Sequence, residues 1–195
     1  MVHVTVGQKL RSAAGEVVCG DAALILEEDG MVVVGVADGL GHGPKAAAAS
    51  TAFCAYLRDH ALESLDVLLG GAARACARTR GVAAVVLRID TVRSRMEFAG
   101  VGNVACRAKS AKPITTLSTP GILGRGRVPR GLRVYTNPLA SGDVLMVYTD
   151  GLVGVRLEDM HMEPQALADR MVDDYADGRD DATCVVLSVN GAARA

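Results

Sequence analysis

A chain of 195 residues with 50% apolar side chains can bury one sizeable core and has little room for a second, so a single domain over residues 1–195 is expected. A formal net charge of −1, an aromatic share of 3% and the lack of a long Lys/Arg run argue against a nucleic-acid surface. No apolar run reaches the roughly 18 residues of a membrane span, and the first residues lack the layout of a signal peptide, so a cytoplasmic protein without a membrane partner is expected.

The opening third reads as strands. EVVCGDAALILEE (16–28) and MVVVGVAD (31–38) flank Asp29-Gly30, a dipeptide that favours the tight turn of an antiparallel hairpin. At Pro44 the pattern turns helical, because proline suits the first turn and KAAAASTAFCAYLRDHAL has high helix propensity with few branched side chains. A second helix is marked by Leu65, Leu68, Leu69, Ala72, Ala73 and Cys76, which recur at three and four residues until Gly81 stops them. Strands return in VAAVVLRID (82–90), RMEFAGVGNVACRA (95–108), LRVYT (132–136) and DVLMVYTD (143–150), broken by an irregular loop over 109–133. A short helix over 164–175 and a last strand, ATCVVLSVN (182–190), close the chain. Strands that cluster before and after a helix pair predict an α+β fold, a mostly antiparallel sandwich with outer helices, rather than an alternating parallel sheet.

The run MVVVGVADGLGHGPKAAAAS (31–50) passes from apolar strand through a glycine-rich turn to helix, the setting in which bare backbone N–H groups often cradle phosphate. The spacing does not fit. A P-loop needs Lys and then Ser or Thr directly after its last glycine, whereas Gly43 is followed by Pro44, Lys45 and Ala46. Asp38 would also repel a bound phosphate unless a cation lay between them.

Several carboxylates share this position at a strand end. Asp21 follows VVCG, Asp38 follows VVVGVA, Asp150 follows VLMVYT, and Asp180 with Asp181 precedes ATCVVLSV. Like charges gathered at the rim of a core cost several kcal/mol or stay protonated, and a divalent cation removes that cost. An oxygen donor set suits Mg²⁺ or Mn²⁺. Cys19, Cys54, Cys76, Cys106 and Cys184 form no CxxC pair and read as small buried apolar residues, and no HExxH motif points to zinc. Asp90, at the end of VVLRID, is the contrast, assigned to a plain hairpin turn. Asp38 and Asp150 differ from it because each is followed by Gly and then Leu, leaving the backbone free for close approach.

The ordered series CGD, VADGLGHG, RGVAAVVLRID, GVGN, SGDVLMVYTDGL and RDDATCVVL resembles the metal-dependent serine/threonine protein phosphatases of type 2C, and within them the bacterial SpoIIE-like branch. The resemblance implies a four-layer αββα sandwich and a hydrolase using two Mn²⁺ or Mg²⁺ ions. It implies that Asp38 bridges the ions, that Asp21 and the carbonyl of Gly39 complete one site, and that Asp150 and Asp180 complete the other. Two cations about 4 Å apart would make water nucleophilic near neutral pH and offset charge on phosphoryl oxygens, so no protein nucleophile is required. Asp181 stands behind the ligands, and Asn103 occupies the place of a third-metal aspartate.

Departures from the family pattern are informative. Val17, Val18 and Cys19 occupy the approach where many relatives carry a phosphate-holding arginine, so phosphate would rest more on metal. Leu40 stands where larger relatives place a leaving-group acid, and His42 is the nearest imidazole able to donate a proton. Arg125, Arg127, Arg130 and Arg133 in the long loop could meet a phosphoprotein, or lie solvated as Lys45 is expected to. The compact length resembles stand-alone phosphatases that reset stressosome signalling, which implies phosphorylated STAS-domain proteins as partners in a stress response. A silent binding module on the same fold would lack a ligand position, and none is missing; a phosphatase of another anti-anti-sigma-type partner is the neighbouring alternative.

Overall fold

The computed structural model describes residues 1–124, 127–156 and 160–191. Its elements are β1 (Val2–Arg11), β2 (Asp21–Glu28), β3 (Met31–Gly39), α1 (Pro44–Asp59), α2 (Leu65–Ala75) with a 3-10 turn over Cys76–Arg78, and β4 (Val82–Asp90). There follow β5 (Arg95–Val101), β6 (Ala105–Lys109), β7 (Tyr135–Pro138), β8 (Val144–Tyr148), α3 (Pro164–Tyr175) and β9 (Ala182–Gly191). Antiparallel pairing assembles two sheets, one in the order β1-β9-β8-β6 and one in the order β2-β3-β4-β5-β7.

β3 and β4 are almost wholly apolar because both of their faces are covered. On one face Val34, Val36, Val85 and Leu87 meet Val147, Val185 and Leu187 of the other sheet. On the opposite face Val33, Ala37 and Val86 meet Phe53 and Leu57 of α1 and Leu68 of α2. The second sheet is covered in turn, with Met146, Cys184 and Val186 against Leu167, Met171 and Val172 of α3. The layers therefore run helices, sheet, sheet, helix, the αββα sandwich expected for this α+β chain. Each fully buried Val, Leu, Met or Phe among them contributes roughly 1.5–3 kcal/mol. No helix among the described residues is long and apolar enough to cross a membrane.

Helix starts fall where proline placed them, at Pro44 and Pro164. The hairpin turn is as expected, with positive φ at Asp29 (48°) and Gly30 (77°). Three strand expectations are corrected. β2 begins at Asp21 rather than Glu16, and Val17 is 96% exposed in the preceding loop. The run 95–108 is two strands in different sheets, parted at Gly102 (φ 90°), where a Cβ would lie 2.5 Å from the Ala83 side chain. β7 begins at Tyr135 rather than Leu132, fixed at the sheet edge by buried Asn137, whose carboxamide accepts from Thr115 N at 2.7 Å and donates to Thr115 O at 3.0 Å. Cys54, Cys76, Cys106 and Cys184 are buried, Cys19 is half-buried, and all five thiols are free.

Candidate metal centre

The β2–β3 ladder closes at Asp29-Gly30 and opens at its far end, where Asp21 stands directly opposite Asp38. The second sheet brings its own carboxylates. β8 and β9 are neighbours with Tyr148 opposite Cys184, so Asp150 just after β8 and Asp180 and Asp181 just before β9 leave the sheet at one end. Thr149 joins the two sets. Its Oγ1 donates to Asp21 Oδ2 at 2.7 Å and accepts the Thr183 N–H at 2.9 Å, linking the two sheets through a fully buried hydroxyl.

Exposure rises across the cluster. Asp21 and Asp181 are buried at 5% and 2%, Asp38 and Asp180 are half-buried, and Asp150 is exposed. Burial, as the largest cause, pushes the Asp38 carboxyl up to about 8, with the charges of Asp21, Asp150, Asp180 and Asp181 adding to it. Burial likewise raises Asp21 to about 7; the Thr149 and Thr183 hydroxyls oppose this, and the charges of Asp181 and Asp180 reinforce it. The Thr183 hydroxyl favours the Asp21 anion by proximity but completes no hydrogen bond itself. Asp181 accepts the Ala13 N–H through Oδ1 at 3.0 Å, while its buried Oδ2 has no hydrogen-bond partner.

Among the described residues no three acidic, imidazole or thiol side chains are drawn into a closed ligand shell. What they form is an open rim of carboxylates with mutual repulsion and an orphaned buried oxygen. A hard divalent cation answers the repulsion, and the all-oxygen donor set suits Mg²⁺ or Mn²⁺. Asp21, Asp38, Asp150, Asp180 and the Gly39 carbonyl are the groups that could hold it.

The glycines after the two aspartates let neighbouring backbone close in. A Cβ on Gly39 would lie 2.1 Å from the Ala46 carbonyl oxygen at the start of α1, and one on Gly151 would lie 2.1 Å from the Asp181 carbonyl oxygen. The second contact keeps the strand end bearing Asp150 against that bearing Asp180 and Asp181.

Other residues singled out in the sequence take places around this rim. Asn103 Nδ2 donates to Asp150 Oδ2 at 2.7 Å. His42 lies outside the cluster, exposed, with Nδ1 at 2.5 Å from Glu16 Oε1. Glu16 carried no sequence signal; only the fold joins it to a residue 26 positions away. Arg127 lines a cavity of about 380 Å³ beside the Asp38 loop together with Leu40 and Arg80. Arg130 and Lys45 are exposed, and Arg125 lies outside the described residues. Thr149 was also missed; a hydroxyl directly before the YTDGL aspartate was the one clue to it.

The family described as Stage II sporulation protein E (SpoIIE) matches residues 28–190 of the chain. Phosphoserine phosphatase RsbX of Bacillus subtilis (strain 168) is 28% identical over 140 residues, 71% of this chain and 69% of its own length. Among solved structures, a chain described under the bacterial stressosome, a modular system adapted to control secondary messenger signaling, is 30% identical with a TM-score of 0.89 over 95% of this chain and 99% of its own. RsbX in complex with magnesium shares the fold at 22% identity, with a TM-score of 0.83 over 97% and 100% of the two chains.

Proposed function

The chain belongs to the SpoIIE family within the type 2C metal-dependent serine/threonine phosphatases, and we propose that its acidic rim holds two Mn²⁺ or Mg²⁺ ions and hydrolyses phosphoserine or phosphothreonine in a protein. The observation that carries this reading is the pairing of Asp21 with Asp38 at a half-buried strand end, where the nearest charges are further carboxylates. In this reading Asp38, Asp21, the Gly39 carbonyl, Asp150 and Asp180 would together hold the ions. The ions, when bound, would activate water and offset charge on the phosphoryl oxygens.

The chain's own groups set up that chemistry. Thr149 orients Asp21 by donating to one carboxylate oxygen, and Asn103 restrains Asp150. Asp181 supports the loop from Ala13 through Oδ1. Glu16 engages His42 Nδ1, so a proton given by His42 to the leaving group would come from Nε2. Residues 1–195 would act as one catalytic domain in the cytoplasm. Likeness to a phosphoserine phosphatase and to a stressosome chain supports phosphorylated STAS-domain proteins of a stress-response pathway as substrates.

The test uses purified protein with an aryl phosphate and with a phosphorylated STAS-domain protein. Hydrolysis of both is expected only with added Mn²⁺ or Mg²⁺, and undiminished activity after chelation ends the two-ion reading. Turnover of aryl phosphate and of an unrelated phosphoprotein, with the STAS protein untouched, removes the stressosome substrate and leaves the enzyme class.

A further inference from the structure

One open cavity lies beside the loop that follows Asp38. Leu40, immediately after Gly39, forms one wall and is 37% exposed; Ile122, 44% exposed, stands with Val128 and Pro129 on the other. The space is about 380 Å³, enough for one or two side chains. Both walls are held by hydrogen bonds. Arg80 Nη1 donates to the Leu40 carbonyl at 3.2 Å and Leu40 N to the Gly81 carbonyl at 3.1 Å, while Leu123 and Val82 exchange two backbone bonds of 2.8 Å.

The groove carries charge of one sign. Among the described residues Arg80 and Arg127 line it and no acidic side chain does. The ion pairs among the described residues use Lys9, Arg11, His42, His60, Arg88, Arg93, Arg170 and Arg179, so neither groove guanidinium faces a carboxylate among the described residues. Among the described residues no aromatic ring lines the groove, which disfavours a stacked base. Exposed apolar walls with two cations, one residue from a proposed metal ligand, suit an acidic and apolar peptide segment.

We propose that this groove docks the stretch of a phosphoprotein flanking its phosphorylated residue, taking an apolar side chain between Leu40 and Ile122 and a carboxylate on Arg80 and Arg127. This rests on the reading of the chain as a protein phosphatase, and it makes the enzyme selective for phosphosites with an acidic, apolar flank. Sequence reasoning pointed to Arg125, Arg127 and Arg130 as one surface; Arg127 lines this groove, Arg130 does not, and Arg80 comes from a different part of the chain.

The experiment compares three synthetic phosphoserine peptides with Mn²⁺ present: one with Glu and Leu within about three residues before the phosphoserine, one with them after it, and one with neither. Each rate is divided by the same sample's aryl phosphate rate. One flanked peptide should exceed the plain peptide in kcat/KM by on the order of fivefold to tenfold. Arg127→Glu should abolish that preference and create one for the matching peptide with Lys in place of Glu, a reversal that damage to the fold would not produce. Three peptides hydrolysed alike while aryl phosphate turns over defeat the groove alone. Failure of Mn²⁺ to elicit any aryl phosphate hydrolysis defeats the phosphatase reading and the groove with it. A dimer that Arg127→Glu dissociates would give the groove to a second copy of the chain and overturn the proposal.

Discussion

The two ends of the β3–β4 ladder hold an aspartate in opposite ways. At one end Asp90, opposite Met31, accepts the Arg93 N–H and Arg93 Nη1, each at 2.8 Å, and these bonds keep its carboxyl below the usual range. At the other end Asp38, opposite Ala83, is pushed up to about 8 by burial and by four neighbouring carboxylates. Residue type and strand position are the same, and only the surroundings differ. Asp90, which closes a turn, finds its counter-charge within three residues, whereas Asp38 is left without a counter-charge by the protein, as its proposed ligand role requires.

Removing Asp38 should break this contrast most severely. Asp38→Asn is expected to lower kcat on aryl phosphate by on the order of 100-fold or more, while the metal-free protein keeps or gains thermal stability because the cost of burying this carboxyl among others is gone. A normal rate in this variant would mean that Asp38 holds nothing. Thr149→Val tests the support behind the rim. It removes the donor to Asp21, and Mn²⁺ affinity measured by calorimetry should fall by roughly tenfold, with Thr149→Ser restoring most of it. Equal affinity in all three proteins would reduce Thr149 to packing.

Titration separates the two ends without mutation. In the metal-free protein the folded-state values of Asp21 and Asp38, about 7 and about 8, lie above the ordinary 3.8. Their protonated forms are therefore favoured by folding, and stability falls as pH rises from about 4 through about 8. Asp90, held below the ordinary value, is ionised in both states above about pH 5 and adds no slope there. The metal-free Tm should drop between pH 5 and pH 8, and Mn²⁺ should raise it far more at pH 8. A flat profile would show that the carboxylates find other compensation. The smallest effect is expected from Asp90→Asn, with aryl phosphate hydrolysis near wild type and a modest loss of Tm; a large loss of activity at unchanged Tm would erase the distinction between the two ends.

Local chemistry explains which features could be read in advance. Proline at the first helical turn and Asp29-Gly30 between apolar runs act within a few residues, and they placed α1, α3 and the first hairpin. The aspartates were legible because each abuts an apolar strand, where a solvated carboxylate is out of place. The break at Gly102 was not, since AGVGNVAC reads as one strand until Ala83 of another strand forbids a side chain there. The Glu16–His42 pair, the Thr149 bridge to Asp21 and the meeting of Arg80 with Leu40 join residues 26, 128 and 40 positions apart. The Thr149 contact follows from how the two sheets stack and the other two from strand pairing within one sheet, neither of which a short window of sequence contains.

The claim that the acidic rim is a two-ion centre is tested most directly by anomalous diffraction from crystals soaked in Mn²⁺. Two peaks are expected, both within bonding distance of the Asp38 carboxylate, one shared with Asp21 and the Gly39 carbonyl and the other with Asp150 and Asp180. A rim without manganese, or manganese bound there without touching Asp38, would contradict it.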